Sequence, residues 1–552
     1  MCPYFTLRKY PYACIFVFLL FICQTLSAQR EPIFDMLRNE LLHQDSVLKK
    51  SINTYYINFR VKDMYNVNIS SSMGALMLSD KIENRKMIPT YRIGNPMTDV
   101  LRPDNPRIIT IPMELSPDKF GRYIKSECNY TIENRLKSTN IPERNNIDEY
   151  AGKLSLFTDA PVVKSYAPVV NKDSIKVDIS YWEALTKRIS SEFADNKAFF
   201  SGRASFSYSF EQTYFISTED TEISENKIYV DFYVTASVKA EDGRDIILAK
   251  TFKANKLADI PSEKIILESV REIKNNLLEL KSAPVADAYE GPAILAGDMA
   301  AVFFHEIIGH RLEGTPQRLK VNSKTLVSKM GEQITNPYLS VVDDPSMTYF
   351  QGNPIWGGYI FDDEGVKGER VDVIKNGILK NFLSTRAELQ EIRSSNGHAR
   401  AQWGENPDSR QSNLIVMSDN IISEEDLRRM LIEEVKKQGK DYGYYLKGTS
   451  GGLTINSPLI FNAFSVDPLM AYKVFADGRP DQLIRNALLI GTPLTTLNSI
   501  IATGSGTGIF NGYCGTNSGI VPVSAVSPSL LVSRIELQLS KIAGDHYILE
   551  KP

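Results

Sequence analysis

The sequence predicts an α+β protein of two domains, an N-terminal domain of helices and antiparallel sheet followed by a strand-rich C-terminal domain that opens on a histidine-bearing helix. Three observations predict it. At 552 residues the chain is longer than one hydrophobic core usually serves, since domains run about 100 to 200 residues. Through the first half, segments with apolar residues at helical spacing follow segments that alternate apolar with polar residues, as helices and half-buried strands require. A break at Ser282-Ala283-Pro284 separates that half from one in which glycine is denser and turn signals recur. The expected division is a leader over 1–28, a first domain over 29–284 and a second over 285–552.

The leader reads as basic Arg8-Lys9, an apolar run from Ala13 to Cys23, and Ser27-Ala28 at a cleavage position, the layout of a secretory signal. The run is too short for the roughly 20 residues that span a bilayer. Ile22 before Cys23 argues against lipid attachment, where a small residue is expected. The mature chain is therefore expected outside the cytoplasm, periplasmic or extracellular, with no stable membrane insertion. Losing Arg8 and Lys9 takes the formal charge from −3 to −5, so no basic stripe recruits nucleic acid. Hydrophobic residues at 43% and charged residues at 23% are ordinary for a globular protein and exclude disorder and collagen-like repeats. Only Cys128 and Cys514 survive cleavage, which is no disulfide framework, and their wide separation gives weak grounds for a bridge.

Taken in order, Ile33, Met36, Leu37, Leu41, Leu42 and Leu48 mark an amphipathic helix over 31–50. Tyr55–Val61 and Val67–Ser70 alternate and are rich in aromatic and β-branched residues, predicting two strands that pair with each other. A proline-rich stretch from Asn95 to Pro117 breaks regular structure. Ser174 to Phe193 reads as a helix, Ala204–Ile216 and Ile228–Lys239 as strands, and Asp242-Gly243 as a hairpin turn into Ile246-Ile247-Leu248. A helix over Ser262–Leu280 closes the half. Beyond the break, strands are expected at Val371–Ile374 and Leu459–Phe461, a helix at Glu424–Gln438, and turns at Asn376-Gly377 and Asp477-Gly478.

The chemistry concentrates in Phe303-Phe304-His305-Glu306-Ile307-Ile308-Gly309-His310-Arg311-Leu312-Glu313-Gly314, which sets two of five histidines beside a glutamate in an apolar segment. Zinc peptidases use two neutral imidazoles as ligands and a neighbouring carboxylate as the base for water. Their usual histidines lie four apart, whereas His305 and His310 lie five apart. On a regular α-helix five steps separate the imidazoles by about 140°, too far to share an ion easily. A π-turn of about 4.4 residues would reduce this to about 50°, so a bulge is predicted between His305 and His310, with Gly309 easing its strain. Spacing alone leaves both metal binding and a buried polar pair open.

A catalytic tetrahedral site needs a third protein ligand and an open position. Cys514, in the glycine-rich run Gly504–Gly515, is the natural candidate if that run is a loop able to approach another element closely. A buried structural thiol is the other reading of Cys514. A phosphate loop is disfavoured because no Lys-Ser or Lys-Thr follows the glycines.

Taken together these residues resemble the TldD/PmbA metallopeptidase family, once called modulators of DNA gyrase. The resemblance runs in order through Tyr289-Glu290-Gly291-Pro292, His305 to Gly314, Val341–Pro345, Phe361–Gly365, Asn376–Lys380, Ser409–Asn413, Thr449–Gly452 and Gly512–Gly515 with Val521-Pro522-Val523. It is specific over about 286–540 and vague before. It implies a strand-rich TldD/PmbA-like C-terminal domain, one zinc ion (Zn2+) per chain held by His305, His310 and Cys514, and Glu306 as general base. It also implies a homodimer, or a heterodimer with a related subunit. Familiar members lack an export signal, so compartment and natural substrate do not carry over.

Glu313, three residues after His310, could orient that imidazole, or be an ordinary carboxylate near a helix end. Asp343, Asp344, Asp362, Asp363 and Glu364 read as turn residues rather than a second metal site. His398 reads as a solvated loop histidine and Arg410 as a surface ion-pair partner. Trp182, Trp356 and Trp403 read as core or interface aromatics. The expected function is zinc-dependent hydrolysis of peptide bonds in unfolded or extended peptides, with Glu306 activating the water. The alternatives are a non-catalytic zinc-containing assembly protein and a hydrolase of non-peptide amides.

Overall fold

The computed structural model describes residues 30–97, 106–113, 117–137, 150, 152–168, 170, 175–318, 326–455 and 463–540. The expected leader at 1–28 and the expected strand Leu459–Phe461 lie outside them. The architecture is α+β with two large sheets, one of seven strands over the first half and one of twelve over the second, and two two-stranded ribbons, among the described residues. The last helix of the first half ends at Ser282 and the first strand of the second begins at Tyr289. Among the described residues, no helix is long and apolar enough to cross a membrane.

The first helix, Ile33–Ile52, buries Ile33, Leu37, Leu41 and Leu48 of the predicted stripe against the sheet, with Phe34 in addition, whereas Leu42 is 55% exposed. One expectation fails beside it. Tyr55–Val61 and Val67–Ser70 are not two paired strands but parts of one strand, Thr54–Ser72, whose hairpin partner is Ala75–Ile93. No glycine or proline lies between them to turn the chain, and the polar residues between continue the alternation. Asp63, buried there, is matched by Arg85 across the hairpin, with Nε to Oδ1 at 2.5 Å.

Phe199–Ser217, Glu222–Lys239 and Asp245–Ala254 complete the antiparallel meander, with the turn at Asp242-Gly243 as expected. The helix expected from Ser174 begins only at Ile179, because Asp178 accepts the Tyr181 amide and caps it there. A helix over Pro117–Lys137 went unread behind the proline-rich stretch, although Phe120, Ile124 and Cys128 repeat every fourth residue and are buried.

In the second half the long antiparallel pair Ile500–Thr516 and Gly519–Leu539, the pair Tyr442–Ile455 and Ala463–Phe475, and the strand Tyr289–Ala296 form the centre of the larger sheet. The turn Asn376-Gly377 has both residues at positive φ, 50° and 77°, as a tight hairpin requires. The glycine-rich run around Cys514 is strand rather than loop. Its glycines serve proximity: a Cβ on Gly508 would lie 1.7 Å from the Gly297 carbonyl carbon, so only a bare backbone lets this strand pass the start of the histidine helix.

Two further expectations are corrected by burial. His398 is 0% exposed, with Nε2 3.1 Å from Asp343 Oδ1, and Arg410 is 1% exposed. Both sit where the larger sheet packs loops against its face, so neither meets solvent. Asp344 and Asp362 do make turns, accepting the amides of Ser346 and of Glu364 and Val366. Asp343, by contrast, is a buried acceptor for Ser412. Cys128 and Cys514 are free and lie in separate cores.

Candidate metal centre

The helix that begins at Asp298 runs regularly to Phe304 and then widens into one π-helical turn over His305–Gly309 before a last α-turn, His310–Leu312. The His310 amide donates to the His305 carbonyl, the five-residue bond of a π-turn. The predicted bulge is therefore present, and it brings the two imidazoles to 4.9 Å between ring centroids. The reason given for Gly309 needs correcting. Its φ of −54° is ordinary helix, and what it supplies is room: a Cβ would lie 1.9 Å from Gln411 Oε1.

A π-turn disturbs the regular carbonyl ladder, and side chains take up the difference. Arg311 Nη1 donates to the carbonyls of Glu306 and Ile307 at 2.8 and 3.0 Å, and the Thr454 hydroxyl lies 2.6 Å from the Glu306 carbonyl oxygen. Burial lowers the Arg311 pKa to about 10. Phe303, Phe304, Ile307 and Ile308 lock the rest of the segment into the core of the second domain.

Cys514 reaches the site from the strand Ile500–Thr516. Its Sγ is 3.5 Å from His310 Nε2, and ligand atoms of His305, His310 and Cys514 lie within 4.8 Å of one another. Zinc bonds of about 2.1 Å to nitrogen and 2.3 Å to sulfur imply a tetrahedral N-to-S edge of about 3.5 Å, so the donor spacing fits such an ion. The chemistry fits as well: His305 Nδ1 is buried without a hydrogen-bond partner, a costly state that a cation near the ring would relieve.

The electrostatics point the same way. Burial opposes ionisation of the Cys514 thiol, but the adjacent His310 and His305 imidazoles outweigh it and hold the thiol well below its ordinary pKa. For His310 burial opposes protonation, and Cys514 and Glu313 reverse this, raising it well above the usual value. Together these effects favour a thiolate beside an imidazolium, and a metal would compete with that proton.

Three surrounding groups orient these donors. Glu313 Oε2 is 3.3 Å from His310 Nδ1, so a metal that takes Nε2 would leave the ring proton on Nδ1, facing Glu313. Glu313 does this from the first extended residue after the helix. Arg410 donates to the Cys514 carbonyl at 2.5 Å and to Ser518 and Gly519 beyond the turn, and its Nε lies 3.6 Å from Glu313 Oε1. It thereby links the cysteine strand to the histidine helix. The Glu306 carboxylate is 5% exposed as a residue, 3.9 Å from His310 Nε2 and 2.7 Å from the Thr454 hydroxyl.

The structure therefore brings His305, Glu306, His310 and Cys514 into one cluster. Among the described residues no other group of histidine, cysteine and acidic side chains converges so. Sequence reasoning missed Arg311 and Thr454 and placed Arg410 at the surface. Arg410 and Thr454 are polar residues that only the packing of distant strands carries to the helix, and nothing in their local pattern separates them from surface residues.

Residues 289–539 match the profile of the PmbA/TldA metallopeptidase C-terminal domain. A metalloprotease of Methanocaldococcus jannaschii is 30% identical over 253 residues, 46% of this chain and 51% of its own. A zinc metalloprotease TldD homolog of Saccharolobus solfataricus is 30% identical over 258 residues, 46% of this chain and 53% of its own. The chain thus spans about half the length of these curated relatives. In fold it is similar to TldE from Thermococcus kodakarensis, with a TM-score of 0.60 at 13% identity over 91% of this chain and 99% of that one. A Thermotoga maritima protein described as a proposed modulator of a DNA gyrase gives 0.61 at 16% identity over 92% and 100%.

Proposed function

We propose, from the match of residues 289–539 to the PmbA/TldA metallopeptidase C-terminal domain, that the chain is a zinc-dependent peptidase of the TldD/PmbA family acting on unfolded or extended peptides. The observation that carries the reading is the convergence of His305, His310 and Cys514 donors within 4.8 Å, with the Glu306 carboxylate 3.9 Å from one of them. His305, His310 and Cys514 would hold a single zinc ion. Bound there, zinc would supply a Lewis acid for the scissile carbonyl and lower the pKa of water toward 7.

The remaining work falls to side chains. Glu306 takes the proton of the attacking water and returns it to the leaving amine, ending as the carboxylate it began. Glu313 keeps His310 in the tautomer that offers Nε2. Arg410 holds the backbone of Cys514 so that the thiolate meets both imidazoles. A thiolate ligand donates charge and softens the ion, so modest turnover is expected.

An extended substrate is supported by the strand Tyr442–Ile455. Its parallel pairing with Tyr289–Ala296 covers only Tyr444–Lys447, and past that stretch Gly451–Thr454 has no strand partner on that side among the described residues. Leu453 there is 59% exposed. Such an edge accepts a peptide by strand addition. Export rests on the apolar run Ala13–Cys23, and a dimer on the family resemblance.

Elemental analysis beside a cleavage assay tests the proposal. Zinc near one per chain is expected, with cleavage of a disordered peptide by mass spectrometry, and chelation should abolish cleavage while circular dichroism stays unchanged. Unfolding on chelation would instead mark a structural ion in an assembly protein.

A further inference from the structure

Gly452 and Thr454 occupy alternate positions of the strand Tyr442–Ile455, opposite Val466 and Phe464 of its neighbour, and so share one face of it. That face meets Glu306. The Thr454 hydroxyl lies 2.7 Å from Glu306 Oε2 and 2.6 Å from the Glu306 carbonyl oxygen. Gly452 lies against the stem and far oxygen of the same side chain: a Cβ there would stand 2.5 Å from Cγ and 2.8 Å from Oε1.

We infer that Thr454 is a positioning residue for the general base, its single hydroxyl proton shared between the main-chain carbonyl and the carboxylate of Glu306, while Gly452 leaves the space the side chain needs. This rests on the peptidase reading. A glutamate has three rotatable side-chain bonds, and a base must be aimed before its proton transfer is efficient. The Glu306 carbonyl already accepts from Arg311 of its own helix at 2.8 Å, so that carbonyl is satisfied without Thr454. What the hydroxyl adds is its hold on Oε2. Oε2 is also the carboxylate oxygen nearest the ligand cluster, 3.9 Å from His310 Nε2, so holding it aims the atom that faces the water, while Oε1 packs toward Gly452. The pattern Gly-x-Thr on one strand face is thus a mould for one rotamer of Glu306.

The test compares zinc-loaded wild type, Thr454→Val, Thr454→Ser, Gly452→Ala and Glu306→Gln on one disordered peptide, with zinc content and thermal midpoint measured for each. Thr454→Val keeps the shape and loses the hydroxyl; its kcat should fall about 10- to 100-fold, with KM within about threefold and zinc unchanged. Thr454→Ser should recover most of the rate, and Gly452→Ala should lose kcat in the same way. A Thr454→Val protein as fast as wild type, or a serine variant no better than the valine one, overturns the inference. Loss of zinc or fold in Thr454→Val with full recovery of neither in Thr454→Ser also overturns it, since the role would then be structural. The two readings separate cleanly: full activity in Thr454→Val with none in Glu306→Gln sinks the positioning role alone. Activity surviving in Glu306→Gln, or none in wild type, sinks the general base and the positioning role together.

Discussion

Two buried polar clusters, one in each domain, make an instructive pair. In the N-terminal domain Glu222 is 1% exposed and closed on all sides by partners: Arg30 Nε at 2.7 Å, Arg38 Nε at 2.9 Å and the Tyr166 hydroxyl at 2.7 Å. Both carboxylate oxygens are answered by donors, and the partly exposed Arg30 and Arg38 supply the compensating charge. At the metal centre His305, His310 and Cys514 are as deeply placed, yet they are donors of lone pairs facing one another, and a ring nitrogen of His305 is left without a partner. The first cluster is complete, whereas the second has the donors that a cation would complete. Burial alone therefore does not distinguish a structural cluster from a functional one; the balance of donors and acceptors does.

Experiments that break this contrast can be ranked by expected effect. Glu306→Gln should leave zinc in place and lower kcat by about 10²- to 10⁴-fold, read by peptide cleavage beside elemental analysis. Cys514→Ala removes one of three donors and should empty the site during dialysis, with zinc falling well below one per chain; retention of full occupancy would remove Cys514 from the ligand set. Glu313→Gln removes the charged acceptor of His310 and should weaken zinc by about 10- to 100-fold, measured by competition with a chelating dye.

The smallest effect is expected in the complete cluster, and it sharpens the comparison through pH. Burial works against the Glu222 carboxylate, but hydrogen bonds from Arg30, Tyr166 and Arg38 outweigh it and hold its pKa down to about 2. Its ordinary value is about 4.3. A folded pKa below the unfolded one contributes stability that is full above about pH 5 and is lost as pH falls toward 2. Glu222→Gln should cost about 2 kcal/mol at pH 7, and its denaturation midpoint should fall less than that of wild type between pH 5 and pH 3. Equal slopes would mean that Glu222 is not the acid-sensitive group.

Legibility followed the range of the interactions. The helices Ile33–Ile52 and Glu424–Lys437 and the turn at Asn376-Gly377 could be read because each depends on neighbours a few residues away. The long strand Thr54–Ser72 was split in two because pairing is decided across the sheet, not along the chain. The π-turn was legible from the five-residue histidine spacing, since only a widened turn brings both rings to one side. His398 and Arg410 were misplaced for the same reason as the strand: a charged or titratable residue in a loop is buried or solvated according to what folds over it.

By itself the sequence determined the α+β class, the meander of the first half, and the pairing of two histidines with a glutamate on one bulged turn, because these follow from periodicity and covalent spacing. Only the tertiary structure decided that a strand some two hundred residues later sets the Cys514 sulfur 3.5 Å from His310, and that Arg410, Glu313 and Thr454 brace the cluster. Those contacts join segments remote in the chain, and closing such loops is settled by the packing of the whole core rather than by any local preference.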